Sequence, residues 1–315
     1  MKNRLAASRL LVLLSLVIVT GACNRHDPIR AAERLLAEGK TREALDCLAA
    51  VPWSSPQVGA ARRLIATTCT RVPLIRSASA QPPVRVELME VVDALPHDAS
   101  CYTEGLELDG EHLIESCGLY KESLVRRTDL RTGKVLAESK LDRRYFGEGL
   151  TRLGNEIFVL TFAERTAFVF DAQIAAARRT FPIQGEGWGL THAHGTLVMS
   201  NGSNELRFLD PSSGRVLRTV SVFNGDVPLM NLNELEYVDG EILANVWLTD
   251  RIARIDAASG RVIGWILAEG LLPDGVRFKA GELNGIAYDA SAKRLLVTGK
   301  RWPHVFLVQT KVLAL

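Results

Sequence analysis

The sequence carries almost no net charge: 38 Lys and Arg stand against 36 Asp and Glu, a balance of +2. It therefore has neither the basic footprint of a nucleic-acid binder nor an acidic tail. Histidine is scarce, six residues in all, and no His-Glu-x-x-His motif occurs. That argues against a zinc hydrolase of the helical-motif type. The apolar run from Leu10 to Val19 falls short of the roughly 20 residues that a membrane-spanning helix needs. What remains is ordinary globular material. The chain is 47% hydrophobic and 23% charged over 315 residues, enough for one large core or two smaller ones.

Residues 1–23 read as an export signal. Lys2, Arg4 and Arg9 form a basic start, Leu10 to Val19 an apolar core, and Thr20-Gly21-Ala22-Cys23 a small-residue site. The last four residues resemble a bacterial lipobox, whose cysteine becomes acylated; Thr20 departs from it, since Leu or Val is usual there. The expectation is an exported protein. It is either lipid-anchored through Cys23 and facing the periplasm, or soluble in the periplasm or secreted. Without Cys23, an even number of cysteines remains: Cys47, Cys69, Cys101 and Cys117. In an oxidising compartment this suggests two disulfides; the alternative is four buried free thiols. Cys101 and Cys117 flank a hairpin with a turn signal at Asp109-Gly110, which sets them opposite each other within one residue of register. Cys47–Cys69 would then tie the N-terminal helices.

Residues 24–76 read as helical. Ile29, Ala32, Leu35 and Leu36 share one helical face, Gly39-Lys40 interrupts it, and Ala44, Leu45, Leu48 and Ala49 resume it before Pro52. A third helix is expected from Pro56 to about Thr68. The segment resembles a single tetratricopeptide-type hairpin. Residues 28–70 would either dock a protein partner or act as a membrane-side spacer. Residues 77–83 form a polar, proline-bearing linker.

From residue 84 to 315 the pattern turns to strands and repeats. Glu104-Gly105-Leu106, Glu148-Gly149-Leu150, Trp188-Gly189-Leu190, Asn233-Glu234-Leu235 and Asn284-Gly285-Ile286 recur at intervals of 40 to 51 residues. A period in that range marks a blade of about four strands. Each segment leads into a turn, at Asp109-Gly110, Gly154-Asn155, His194-Gly195 or Asp239-Gly240, and then an apolar strand. A third strand ends at Asp129, Asp171, Asp210 or Asp256, read as turn residues. The fifth unit lacks a fourth strand, which Val84–Val92 can supply. These features predict an all-β, five-bladed β-propeller preceded by a short α-helical hairpin segment.

In a propeller the first strand of each blade lines the axis. Glu104, Glu148, Trp188, Asn233, Glu234 and Asn284 would then meet at one mouth, beside Trp247, Lys300, Trp302 and the aromatic walls of Phe146 and Phe162. Crowded carboxylates under apolar cover have raised pKa values suited to proton transfer. The glycines could instead serve only close packing, and single glutamates could cap backbone amides.

Seven segments now carry a resemblance. Tyr102-Thr103-Glu104-Gly105-Leu106, Tyr145-Phe146-Gly147-Glu148-Gly149-Leu150, Gly185-Glu186-Gly187-Trp188-Gly189-Leu190-Thr191, Leu232-Asn233-Glu234-Leu235-Glu236, Ala244-Asn245-Val246-Trp247, Leu283-Asn284-Gly285-Ile286-Ala287 and Val297-Thr298-Gly299-Lys300-Arg301-Trp302-Pro303 occur in order. Over about residues 90–310 they resemble the plant- and bacterial-type glutaminyl cyclases, or glutamine cyclotransferases. The resemblance implies a propeller that converts the N-terminal Gln of peptides or proteins to pyroglutamate and releases ammonia. It implies no cofactor or metal for catalysis, although a structural calcium in the channel is known for some members. By motif, Glu148 matches the catalytic glutamate. Glu104, Trp188, Asn233, Glu234, Trp247, Lys300 and Trp302 match substrate-binding positions. Phe162 stands where the family often has Trp, which keeps an aromatic wall but removes an indole N–H. The competing class is a non-catalytic envelope scaffold. A metal-dependent lactonase would instead need axial carboxylates gathered around calcium.

Overall fold

The computed structural model describes residues 27–38, 44, 84–268, 270–272, 276 and 280–312. Cys23, Cys47, Cys69, the linker 77–83 and nearly all of the expected second and third helices lie outside the described residues. The chain divides into two compact units, Met1–Val72 and Pro73–Leu315. In the first, α1 (Pro28–Ala37) begins at Asp27, whose side chain accepts from the Arg30 backbone N–H, with Pro28 opening the first turn. An acceptor at the N-cap satisfies one of the helix's four orphan donors, and proline there forfeits no hydrogen bond. Ala31, Ala32 and Leu35 form its buried face.

The second unit is built of strands. After β1 (Arg85–Pro96) come four strands in sequence: β2 (Thr103–Asp109), β3 (His112–Cys117), β4 (Leu124–Asp129) and β5 (Val135–Lys140). The next four are β6 (Gly147–Leu153), β7 (Glu156–Thr161), β8 (Thr166–Asp171) and β9 (Ala177–Pro182). A third set is β10 (Leu190–Ala193), β11 (Thr196–Met199), β12 (Glu205–Leu209) and β13 (Val216–Ser221). A short ribbon follows, β14 (Phe223–Asn224) and β15 (Val227–Pro228). Then come β16 (Leu232–Val238), β17 (Glu241–Val246), β18 (Arg251–Asp256) and β19 (Val262–Leu267). The last strands are β20 (Leu283–Asp289), β21 (Arg294–Gly299) and β22 (His304–Val312).

Each set is an antiparallel meander, and the last two join into one eight-stranded sheet through β1. β1 pairs antiparallel with β22, from Glu87 opposite Val312 to Pro96 opposite His304. It therefore supplies the strand the last set lacks, and it runs four residues beyond the Val84–Val92 stretch expected to do so. Its start also pairs in parallel with β19, Arg85 opposite Gly264 and Leu88 opposite Leu267.

The second strand of each set is apolar on both faces because it is covered on both. In β7, Ile157 and Val159 pack toward the first set, while Phe158 and Leu160 pack toward the third. β17 divides in the same way: Ile242 and Ala244 face the third set and Leu243 the last. Alternation in a strand sends neighbouring side chains to opposite faces. Leu106 and Leu113 meet Ala287, Leu296 and Val305, so the first set packs on the last and the sequence of interfaces closes on itself. Each fully buried Leu, Ile or Phe contributes roughly 1.5–3 kcal/mol. The leading strands follow the same cycle, β2 touching β6, β6 β10, β10 β16, β16 β20 and β20 β2.

The turns carry the punctuation the sequence supplies. His194-Gly195 and Asp239-Gly240 both have positive φ at the two central positions, the geometry of a two-residue hairpin turn. Asp129, Asp171, Asp210 and Asp256 each accept a backbone N–H two or three residues on, as turn residues do. The first turn differs from expectation. Asp109 is the last residue of β2 opposite His112, so the turn is Gly110-Glu111. Asp109 is held in the strand by Arg127 and Arg152. Cys117 consequently lies opposite Thr103 rather than Cys101. The disulfide still forms, diagonally across the pair, with Cα atoms 5.1 Å apart.

Candidate active site

Where the leading strands begin, backbone approaches backbone. The Gly149 N–H donates to Trp188 O at 2.7 Å. A Cβ on Gly149 would lie 2.5 Å from that oxygen, and one on Gly189 would lie 2.0 Å from Asn233 O. No side chain fits at either place. These glycines let Glu148, Trp188 and Asn233, from three successive sets, stand side by side.

Five rings form an unbroken arc around the opening. Tyr102 packs edge-on against Phe146 at 6.4 Å, Phe146 on Phe162 at 6.0 Å, Phe162 on Trp188 at 6.5 Å, and Trp188 on Trp247 at 5.6 Å. Polar contacts complete the circuit. The Trp247 indole N–H donates to Glu282 Oε1 at 3.1 Å. The Lys300 backbone N–H donates to the Glu282 carbonyl, and Lys300 Nζ sits 4.6 Å over the Tyr102 ring.

Inside this rim the charges are unequal. Lys300 Nζ pairs with Glu104 Oε1 at 2.9 Å, and Asn284 Nδ2 donates to Glu104 Oε2 at 3.0 Å. Burial pushes the Glu104 carboxyl up to about 7 despite Lys300. Burial opposes the Lys300 charge, but Glu104 and Glu282 outweigh it and hold the amine protonated well above its ordinary value. Glu148 is buried, yet among the described residues no donor reaches its carboxylate. Burial first, and then the Glu104 charge, hold its carboxyl well above the ordinary range, with Glu186 and Glu164 adding to the effect and Lys300 opposing it. Trp188 donates its indole N–H to Glu186 at 3.1 Å. Asn233 is nine-tenths buried, and among the described residues its side chain makes no hydrogen bond.

A lone unpartnered carboxylate, a neighbouring ion pair, a free amide and an aromatic wall form a site for a small polar group. Residues 64–310 match the model of the glutamine cyclotransferase family. Glutaminyl-peptide cyclotransferase of Arabidopsis thaliana is 42% identical over 234 residues, covering 72% of this chain and 72% of that relative. The crystal structure of Myxococcus xanthus glutaminyl cyclase superposes with a TM-score of 0.67 at 31% identity, over 74% of this chain and 100% of that one. The chain belongs to the glutamine cyclotransferase family.

Of the positions matched to the family by motif, Glu104, Glu148, Phe162, Trp188, Asn233, Trp247 and Lys300 gather at this rim. Glu234 and Trp302 do not. Glu234 is fully buried, and its two oxygens accept the backbone N–H groups of Leu106 at 3.3 Å and Ile286 at 2.8 Å. It braces β2 and β20 across the axis. Trp302 is 2% exposed, gives its indole N–H to Gly281 O and packs on Phe306 in the core. Both expectations of substrate contact are corrected on these grounds.

Three rim residues were not singled out from the sequence: Tyr102, Glu186 and Glu282. A signal for them exists. Each stands two residues before the polar or aromatic residue of its repeat, as Phe146 stands before Glu148. The same register in every repeat places the same step of the chain at the rim.

Among the described residues, no tight side-chain ligand set suits the calcium that the resemblance allows. Among the described residues, the one tight group of three potential ligands is Cys101, Glu115 and Cys117, and its sulfurs form the disulfide. The axial carboxylates of Glu234 and Glu236 accept backbone amides, Glu236 from Tyr288. A lactonase-like carboxylate cage would need such oxygens gathered on one point.

Proposed function

We propose that the second unit is a five-bladed β-propeller that cyclises the N-terminal Gln of peptides and proteins to pyroglutamate, with Glu148 as its general acid and base. The observation that carries this reading is the Glu148 carboxylate: buried, free of hydrogen bonds and raised in pKa, inside an aromatic rim. A donor-free carboxylate can accept a proton and release it again, where a tightly hydrogen-bonded one cannot.

The substrate's α-amine has an ordinary pKa of about 8 and must be neutral to attack. The acidic rim attracts it, because Glu104, Glu148, Glu186 and Glu282 outnumber the cations Lys300 and Arg301. Its nitrogen bonds to the side-chain carbonyl carbon, and the carbonyl oxygen takes the negative charge. Glu148 removes a proton from that nitrogen and passes it to the amide nitrogen. The carbon–nitrogen bond then breaks and ammonia leaves. The oxygen needs a donor. Both rim indole N–H groups are engaged by Glu186 and Glu282, and Lys300 by Glu104. Asn233 has a free side-chain amide and takes that role. Holding the Gln chain folded between the rings lowers the entropic part of the barrier.

Export and acylation of Cys23 belong to the same proposal, supported by the Cys101–Cys117 disulfide, since cytosolic thiols stay reduced. The decisive experiment is ammonia release from Gln-Ala by wild type and Glu148→Gln. The expected loss is about 10²–10⁴-fold in kcat with the fold intact. A folded variant working at the wild-type rate would overturn the assignment.

A further inference from the structure

Tyr120 stands just outside the rim, and the proposed mechanism leaves it unused. It belongs to the connection between β3 and β4, residues 118–123, and is 47% exposed. That connection is pressed against the site. A Cβ on Gly118 would lie 2.6 Å from the Phe146 ring and 2.9 Å from Glu104 Cγ. The Gly118 N–H donates to Tyr102 O at 2.8 Å. Ser123 Oγ accepts the N–H of Gly147, the residue before Glu148, at 2.9 Å.

The Tyr120 ring is open to solvent yet fixed in direction. It meets Phe146 edge-on at 5.4 Å. Its hydroxyl donates to Glu164 Oε1 at 2.9 Å, and Glu164 Oε2 accepts the Phe146 N–H at 3.3 Å. On either side, Leu119 and Lys121 have φ of 85° and 72°, a left-handed backbone that residues with a Cβ disfavour. Leu119 O accepts the Glu122 N–H and the Ser123 hydroxyl, and the Lys121 N–H donates to Arg143 O. These bonds enforce the strained shape, and strain enforced in this way marks positions set for use.

The charges around the ring are one-sided. Burial first, then the Glu164 hydrogen bond and charge, with Glu148 and Glu186 adding to them, push the Tyr120 hydroxyl up to about 12. The phenol therefore stays protonated and keeps donating to Glu164. Among the described residues no cation pairs with Glu164; Lys121 and Arg165 are its nearest basic neighbours along the clamped segments, and neither reaches it. An aromatic face is negative, and beside an unpaired carboxylate it attracts a cation.

We propose that Tyr120, with Glu164 behind it, is a specificity-determining subsite for a basic side chain, Lys or Arg, on the residue that follows the N-terminal Gln. The inference rests on the cyclase reading above, with Glu148 at the reacting nitrogen. The second residue begins about 3.8 Å from the Gln Cα. Tyr120 lies one ring beyond Phe146, which precedes Glu148 by two residues, and the Glu148 charge acts on the Tyr120 hydroxyl. The ring thus borders the place where the first residue beyond Gln emerges.

The test measures ammonia release from Gln-Arg-amide and Gln-Leu-amide by wild type, Tyr120→Leu and Tyr120→Phe. The readout is the ratio of kcat/KM for the two peptides on one preparation, which a partly unfolded sample leaves unchanged. Wild type should favour the Arg peptide by about tenfold. Tyr120→Leu keeps every charge of the site and should bring the ratio down to about twofold. Tyr120→Phe keeps the ring and should stay closer to wild type. Equal use of both peptides by wild type overturns the subsite. So does a ratio that survives in Tyr120→Leu: the ring would then only brace Phe146, and the preference would come from the acidic rim as a whole. Failure of wild type to release ammonia from either peptide would sink the cyclase reading, and the subsite with it.

Discussion

Lys300 Nζ lies 2.9 Å from Glu104 Oε1, while among the described residues no ion pair reaches Glu148. Lys300 thus anchors Glu104 and, under the reading proposed above, leaves Glu148 to exchange protons. Glu104→Gln removes a negative neighbour of Glu148 and frees Lys300 to approach it. Both effects lower the Glu148 pKa. The base must be ionised to act, so the rate rises with pH through that pKa. The acidic limb of kcat/KM should move down by roughly one pH unit in the variant. An unmoved limb would mean that another group titrates in that limb.

Stability should depend on pH with two opposing signs. Burial disfavours the Glu115 charge, but His97 and Arg126 outweigh it and hold its pKa down at about 2. Its contribution is present above the unfolded value of 4.5 and is lost as pH falls through about 2. His97 places Nδ1 2.6 Å from Trp302 O and Nε2 2.7 Å from Glu115 Oε1. Both partners accept, so the ring is doubly protonated. Burial alone would lower its pKa, yet Glu115 and these bonds raise it above 6.5. That contribution is full below pH 6.5 and is lost as pH rises through the raised value. Glu104, raised to about 7, costs stability as pH climbs from 4.5 to 7. Thermal unfolding across pH should therefore show a maximum near about pH 5. Glu115→Gln should flatten the acid side and lower stability by about 3–5 kcal/mol, because it leaves the buried His97 cation unpaired and Arg126 with Asp98 alone.

The disulfide closes a loop of 16 residues beside Tyr102. The Cys101→Ser, Cys117→Ser protein should lose about 3 kcal/mol in denaturant unfolding. A loss under about 1 kcal/mol would show that the hairpin register alone holds the two strand ends.

Glu234→Ala should separate bracing from binding. Two backbone N–H groups would lose their acceptor, at about 1–3 kcal/mol each. The melting temperature should fall while KM for Gln-Ala stays near wild type. A raised KM with unchanged stability would return Glu234 to the substrate.

Much of this was legible in the sequence because the fold repeats. The step between Glu-Gly-Leu variants located the leading strands, and three of the four hairpin turns fell where their Gly, Asn or Asp residues stand. The first turn was misplaced by one residue because Asp109-Gly110 has the composition of a turn, whereas Arg127 and Arg152 hold Asp109 in the strand. Composition records local preference, and the ion pairs come from residues far along the chain. For the same reason Trp302 read as a pocket wall. Its motif is right, but the Gly281 carbonyl that takes its N–H comes from another strand's approach. Glu282 is marked only by its place two residues before Asn284 in the repeat; its role comes from Trp247, brought from the neighbouring set.

β1 pairs with β22, Glu87 opposite Val312. The first strand of the unit to be synthesised must wait for the last before its edge is covered. Such a distant pairing is slow, since loop-closure entropy comes before any reward. Until then the chain has a free hydrogen-bonding edge and an unfinished ring. Under the export proposed above, that delay keeps the polypeptide threadable until its C-terminal strand emerges. It also makes the last strand the point of no return: a chain cut before His304 would leave β1 exposed as a template for aggregation.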